Sequence, residues 1–269
     1  MQRVYARGYD RGMWLRLRQI ALVARELAPV VDDLRAVLGI EPCYVDPGVA
    51  AFGLENTLLP VGNQILEVVA PTRAGTAGGR HLERRGGDGG YMVITQCDDH
   101  APRRRRVEAL GIRKVLEFEV PGEFRDMQLH PKDTGGAFLE IDEQLGPRAH
   151  ALDGPWHPAG HDWQRARRSE RVSGIAAAEI QCDDPAKTAA RWSEIVEIPV
   201  AQDSLGRAAL ALDGASLRFA AIADGRGEGL GAIDLVARDR AALRAAARGR
   251  RCLVGEDQLV LGGLRMNLV

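Results

Sequence analysis

The sequence predicts an α+β protein built from four copies of one small βαβββ unit. Three observations lead there. The chain repeats itself, with Gln96-Cys97-Asp98-Asp99-His100-Ala101 standing against Gln181-Cys182-Asp183-Asp184-Pro185-Ala186. Each of these stretches closes an apolar, strand-like run (YMVIT before one, GIAAAEI before the other) and opens a helix-like one. Further apolar runs of strand length follow the helices, joined by turns rich in Gly, Asn and Asp, which adopt turn conformations readily.

The first copy begins with LRQIALVA at 17–24, read as a strand. Arg25 to Pro29 opens a helix that runs to about Leu38, where Gly39 is a natural stop. CYVD, AFGLENTLLPV and NQILEVVAP then read as strands, the last two joined as a hairpin. The Gly-rich stretch 78–90 reads as a flexible link to the second copy. In that copy the helix closes at Leu110-Gly111-Ile112, and KVLEFEV, RDMQLHP and GGAFLEIDE are the strands. Asp98/Asp99 and Asp183/Asp184 are expected to cap their helices, since an Asp side chain accepts bonds from unpaired first-turn N–H groups. Pro185 suits a first helical turn, where its missing N–H costs little. The fourth copy shows as LGAIDLVARD followed by RAALRAAARGR. The copies span about 14–72, 87–145, 171–223 and 228–269. The expected organisation is a first domain at 14–145, a linker or lid at 146–170, and a second, shorter domain at 171–269.

The composition excludes several classes of function. Of 269 residues, 45% are hydrophobic and 27% charged, as in ordinary globular proteins. A net charge of −1 gives no whole-chain signal for nucleic acid or an anionic membrane. No run approaches the ~18 apolar residues of a spanning helix. The opening MQRVYARGYDRGMW lacks the apolar region of a secretory signal, so a cytoplasmic protein is expected, with either an N-terminal arm or a natural start at Met13. Cys43, Cys97, Cys182 and Cys252 are far apart and form no CxxC pair. They read as buried thiols rather than zinc ligands or a disulfide framework.

RQIALVARELAPVVDDLRAVLGI resembles the opening of a vicinal-oxygen-chelate module, the unit of the glyoxalase/bleomycin-resistance/dioxygenase superfamily. GNQILEVVAP is similar to its last strand, HLERRGGDGGYMVITQCDD to the join between modules, and LHPKDTGGAFLEI to the closing hairpin of glyoxalase-type members. The resemblance covers 14–145 well and the later half mainly as strand–helix rhythm. It implies two curled mixed β-sheets with helices on the outside. It also implies a divalent metal in the cleft, held by one first-strand and one last-strand residue from each of two modules. Those positions fall on Gln19 and Glu67 in copy one and on Met92 and Glu140 in copy two. Forty-eight positions separate the members of each pair.

A lone Gln or Glu in an apolar strand is costly to bury unless something binds it, and both ILEVVA and AFLEID fit that description. Met92 departs from the pattern, because a thioether does not suit a site of hard oxygens. It reads as core, or as a residue against substrate. The set Gln19/Glu67/Glu140 favours a hard or borderline cation among Mg, Mn, Zn, Ni and Fe. The same register puts Ala177 with Phe219 in copy three and Ala232 with Asn267 in copy four, neither a ligand set.

The chemistry expected from the resemblance is isomerase- or lyase-type, on a small carbonyl or hydroxy-acid compound. Glu140 is the expected base, its pKa raised by burial. A metal-free, small-molecule-sequestering protein of the same fold is the alternative. An extradiol-type dioxygenase is disfavoured, because the positions such members fill with two His lack them. In the linker, Trp156, His157, His161 and Trp163 read either as a connecting loop or as a lid over the cleft, with Trp156 and His157 as substrate contacts. His130, in the second hairpin, is a further candidate for the cleft wall. The run Arg103–Arg106 reads as a solvated helix face. The expected partner is a small molecule, with no nucleic acid or membrane; pairing of two chains into a homodimer stays open.

Overall fold

The computed structural model describes residues 13–269; the expectations for the opening arm lie outside the described residues. Two seven-stranded mixed sheets, curled in the manner of a half-barrel, make up the molecule. The first contains β1 (Leu15–Val23), β2 (Leu54–Val61), β3 (Gln64–Pro71), β4 (Gly89–Cys97), β5 (Lys114–Val120), β6 (Phe124–Leu129) and β7 (Phe138–Gln144), in the order β2-β3-β1-β4-β7-β6-β5. The second contains β8 (Val172–Cys182), β9 (Val200–Gln202), β10 (Ala208–Ala211), β11 (Ser216–Ala221), β12 (Gly229–Ala237), β13 (Gln258–Leu261) and β14 (Leu264–Leu268), in the order β13-β14-β12-β8-β11-β10-β9. In each unit the first strand runs parallel to the last, β1 to β3, β4 to β7, β8 to β11 and β12 to β14. Two units meet across an antiparallel pair at the middle of each sheet, β1 with β4 and β8 with β12.

The helices are α1 (Leu27–Leu38), α2 (Ala77–Arg85), α3 (His100–Ala109), α4 (Pro131–Thr134), α5 (Pro185–Val196) and α6 (Arg240–Gly249). The caps follow the chemistry of the sequence. Asp99, Asp184 and Asp239 accept first-turn N–H groups of α3, α5 and α6, and Gly39 ends α1 in the left-handed region at φ 69°. Alternation along the strands divides the apolar residues into two sets. Leu22, Leu66, Val93 and Leu139 face the helices and join a core that continues through α1, α5, α6 and the second sheet. Ala21, Val23, Ile65, Val69, Met92 and Ile94 face the inside of the first curl.

Four expectations change. CYVD is not a strand; it touches β2 through one bridge, Tyr44 to Leu58, and a 3-10 turn at Pro47–Phe52 follows. Pro42 and Pro47 withhold two ladder donors there, so the second strand of the unit cannot extend. The fourth unit is reduced in the same way, to a bridge from Leu253 to Leu259. Residues 78–90 are not a flexible link: they hold α2, which Thr76 caps by accepting Gly79 N–H and which buries His81, Leu82 and Arg85. The basic run is not wholly solvated, because Arg103 is buried against Asp98 and the backbone oxygens of Trp14 and Val196.

The two sheets are locked along a seam. The side-chain amide of Gln64 both donates to and accepts from the backbone of Ile175, at 2.7 and 2.8 Å. Arg226, beyond β11, donates to the backbone oxygens of Arg85, Gly87, Asp88 and Gly263. Gly62 and Gly263 have positive φ and sit so close to the backbone of Ser173 and Asp88 that a Cβ at either would collide.

Candidate functional site

The inner face of the first curl gathers most of the residues that the sequence singled out. Gln19 lies two residues before Ala21, the parallel partner of Glu67, and Met92 lies two residues before Ile94, the partner of Glu140. The two units therefore present these positions in the same register. In the second sheet the equivalent pairs are Ala177 with Arg218 and Ala232 with Asn267. Phe219, expected opposite Ala177, instead points into the helix-side core. Trimmed loops in the third copy removed the length that fixed the register of the first two.

Gln19 and Glu67 meet. The Gln19 amide donates to Glu67 Oε2 at 2.9 Å, Asn56 donates to Glu67 Oε1 at 2.6 Å, and the Trp156 indole donates to Gln19 Oε1 at 2.8 Å. Burial pushes the Glu67 carboxyl up, and the Asn56 and Gln19 hydrogen bonds pull it back. Arg18 is the extra residue of a bulge between β1 and β4. Its guanidinium donates to the backbone oxygens of Asn63, Leu152 and Gly154 and lies 5.3 and 5.2 Å from the rings of Trp156 and Trp163. Trp156 and Trp163 are buried, so the segment after β7 packs across the curl. Met92 is buried with Tyr91, Phe124 and Trp156 in an apolar lining.

Glu140 keeps different company. It forms a cluster with Asp126 of β6 and Asp142 of β7, in which one oxygen from each lies within 4.8 Å of the others. All three are buried, at 5%, 2% and 0% exposure. Asp126 hydrogen-bonds to Glu140 and Glu140 to Asp142, which also accepts from the Met127 N–H, so the carboxyls share protons along a chain that no cationic side chain among the described residues neutralises. Among the described residues, no Lys, Arg or His forms an ion pair with any of the three. Burial is the main reason these carboxyls are pushed up, and mutual repulsion adds to it. Asp126 reaches about 10, and Glu140 and Asp142 rise well above the usual carboxylate range. Glu67 adds to the rise at Glu140, so the two halves of the inner face feel each other.

The other candidates lie apart. His157 stacks on Phe124 and pairs with Glu123 at 2.7 Å, at the mouth of the segment that carries Trp156. His130 caps α4, its Nδ1 accepting the Lys132 N–H, while its backbone N–H donates to Arg113 O at 2.8 Å. Sequence reasoning missed Asn56, Asp126 and Asp142. Each occupies a strand position of alternating pattern, where a polar residue ordinarily faces water.

No model of a known protein family matches the sequence, and no curated protein matches it. Solved structures do. A variant of 4-hydroxymandelate synthase from Streptomyces coelicolor matches with a TM-score of 0.62 at 15% identity, over 86% of this chain and 74% of that one. This match spans both sheets and decides the architecture. The chain has the vicinal-oxygen-chelate fold. Methylmalonyl-CoA epimerases from Streptomyces coelicolor and Mycobacterium tuberculosis also match, at 21% and 22% identity, over 47% and 50% of this chain and 95% and 91% of theirs, with TM-scores of 0.42 and 0.43.

The residues of the first curl bear on the divalent metal that the sequence resemblance implies. At the Glu140 end they fit: three buried carboxyls with no cationic side chain among them suit a hard cation. At the Gln19 end Asn56 and Trp156 already occupy the polar atoms. In the second sheet, Arg218 stands at a last-strand position and pairs with Asp234 and Glu179, so a fixed guanidinium neutralises that face. None of the described helices is long and apolar enough to cross a membrane.

Proposed function

We propose that this chain is a metal-assisted enzyme of isomerase or lyase type, acting on a small carbonyl or hydroxy-acid compound in the first curled sheet. The observation that carries this reading is the buried carboxyl cluster around Glu140, which has no cationic side-chain partner among the described residues. It lies on the same inner face as the Gln19–Glu67 pair, inside an apolar and aromatic lining. Asp126, Glu140 and Asp142 would hold the cation, which when bound supplies charge to polarise a substrate oxygen and acidify the neighbouring C–H. Glu140 is the proton-moving group. Burial first, and then Asp142, push its carboxyl well above the usual carboxylate range. Gln19 and Glu67, held by Trp156 and Asn56, form the polar end of the same inner face. Trp156 and Trp163 exclude water, and the segment that carries them must swing aside to admit substrate.

A second reading, a metal-free binding protein, draws on Trp156 and Asn56 satisfying Gln19 and Glu67 internally and on Met92 as lining. The two separate by experiment. A panel of small 2-oxo and 2-hydroxy acids is incubated with protein and diamagnetic Mg²⁺ in D₂O and followed by NMR. Exchange at carbon that falls at least ~100-fold in Glu140→Gln supports the enzyme. Exchange equally fast in the variant would remove Glu140 from its role, and ligand broadening without exchange would favour the binding protein.

A further inference from the structure

A cleft of about 270 Å³ opens where the turn between β2 and β3, the start of β8 and the turn between β10 and β11 come together. Arg16 and Arg18 of β1 line it, and they are 6% and 1% exposed. Among the described residues, Arg16 Nε and Nη1 and Arg18 Nε have no hydrogen-bond partner. The other guanidinium nitrogens are held. Arg16 Nη2 donates to the His150 backbone oxygen and pairs with Asp213 Oδ2, both at 3.2 Å, and the Trp14 ring lies 4.0 Å from its Cζ. Arg18 donates to the backbone oxygens of Asn63, Leu152 and Gly154. Asp213 is the one carboxylate among the described lining residues, and about half of its side chain is in water. Asp153 also acts on Arg18, but it is paired with Arg148 at 2.7 Å. The lining therefore sets two buried positive charges against one half-exposed negative one. Burial, and then the like charge of Arg16, push Arg18 down to about 9.

We propose that this cleft binds a small organic monocarboxylate, gripped by Arg16 at the seam between the two sheets. The site is separate from the first curl and stands whether or not Glu140 moves protons there. Charge sets the class of ligand. A buried guanidinium without a full counter-charge is costly, so an anion is favoured in the cleft over water. One monoanion brings the two guanidiniums and the Asp213 carboxylate to neutrality, whereas a phosphate dianion overshoots. Shape agrees. A carboxylate takes one edge of a guanidinium through two parallel N–H···O bonds. Arg16 Nη2 forms such an edge with either of its two unpaired nitrogens, and the ligand reaches that edge when the Asp213 side chain swings into water. The rest of the wall includes Leu17, Ile175 and Val236, which receive a short apolar tail. The cleft is slightly smaller than the ~300–1,000 Å³ of pockets for drug-sized molecules, which limits that tail to a few carbons. Arg167, donating to Asn63 Oδ1 at 2.7 Å, adds a third guanidinium at the rim and favours entry of an anion.

The test titrates the full chain with sodium butanoate by isothermal calorimetry. Chelator is present throughout, so that no carboxylate is held by a cation in the first curl. One butanoate per chain is expected, with butan-1-ol and inorganic phosphate at least ~10-fold weaker. Arg16→Gln should weaken butanoate at least ~10-fold. Asp213→Asn should tighten it several-fold, because the competing carboxylate is gone. Val236→Trp fills the cleft from an exposed position and should block binding, which keeps the test open if Arg16→Gln does not fold. A wild-type chain that binds no butanoate at tens of millimolar overturns the proposal. So does butanoate binding that stays unchanged in both Arg16→Gln and Val236→Trp. Phosphate held as tightly as butanoate overturns the assignment to a monocarboxylate.

Discussion

Replacing Asp126 by Asn should stabilise the metal-stripped protein while weakening its hold on metal. In the folded chain the Asp126 carboxyl is pushed up from its ordinary value of 3.8 to about 10, chiefly by burial and then by Glu140. A group with a raised folded pKa contributes stability that is complete below its unfolded value and is lost as pH rises toward the folded one. At pH 7 the folded chain must keep a proton that the unfolded chain has released. Each pH unit above the unfolded value costs about 1.4 kcal/mol, which gives roughly 4 kcal/mol at pH 7 and under about 2 kcal/mol at pH 5. Asn has nearly the same shape and needs no proton. Asp126→Asn in chelator is therefore expected to gain about 2–4 kcal/mol at pH 7 and clearly less at pH 5. Urea unfolding at the two pH values measures both numbers, with the slope serving as a check that the unfolded state is unchanged. Mn²⁺ affinity should fall in the same variant. A variant less stable than the wild type at pH 7, or equally shifted at both pH values, would refute the argument from buried, uncompensated charge.

Other outcomes follow from the same physics. Trp156→Phe keeps the aromatic packing on Phe124 but removes the indole donor from Gln19 Oε1, and should cost about 1–3 kcal/mol in urea unfolding; no loss would mean that water replaces the donor. Arg226→Ala strips four backbone oxygens at the seam of their partner and should cost at least about 2–4 kcal/mol, read as a lowered urea midpoint or as separate unfolding of the two halves. His81 is held down at about 4, first by burial and then by Arg84, so its stabilising contribution is present above pH 6.5 and is lost as pH falls toward 4. The loss amounts to about 3 kcal/mol, and an acid unfolding profile of His81→Gln without that loss checks it.

Much of the fold was legible because it depends on period and repetition. The repeated QCDD stretches locate two strand ends and two helix caps, and Gly39 and Leu110-Gly111-Ile112 mark where helices stop. The equal spacing of Gln19–Glu67 and Met92–Glu140 reflects a real identity of register, since each first-strand residue lies two positions before the partner of its glutamate. What stayed hidden depends on which face of a sheet is inside and on which strands are neighbours. Asp126 in RDMQLHP has the alternation of a solvated hairpin, yet β6 lies between β5 and β7 and the curl seals that face. Gln96 sits within the repeat and draws attention only as the end of a strand; its pairing with Asp142 across β4 and β7 shows only in the fold. The bulge at Arg18 shifts the ladder by one residue, and no local signal in LRLRQIALV announces it. Helix α2 was masked by its glycines, because capping by Thr76 and burial of Leu82 outweigh their poor helical propensity.

We place the proposed chemistry at the carboxyl cluster of the first curl and not in the second sheet. Crystals soaked in Mn²⁺ and measured at the manganese absorption edge test it most directly. One anomalous peak enclosed by Asp126, Glu140 and Asp142 is expected. A peak beside Arg218 and Asp234, or none anywhere in the first curl at full occupancy of soaked metal, would contradict it.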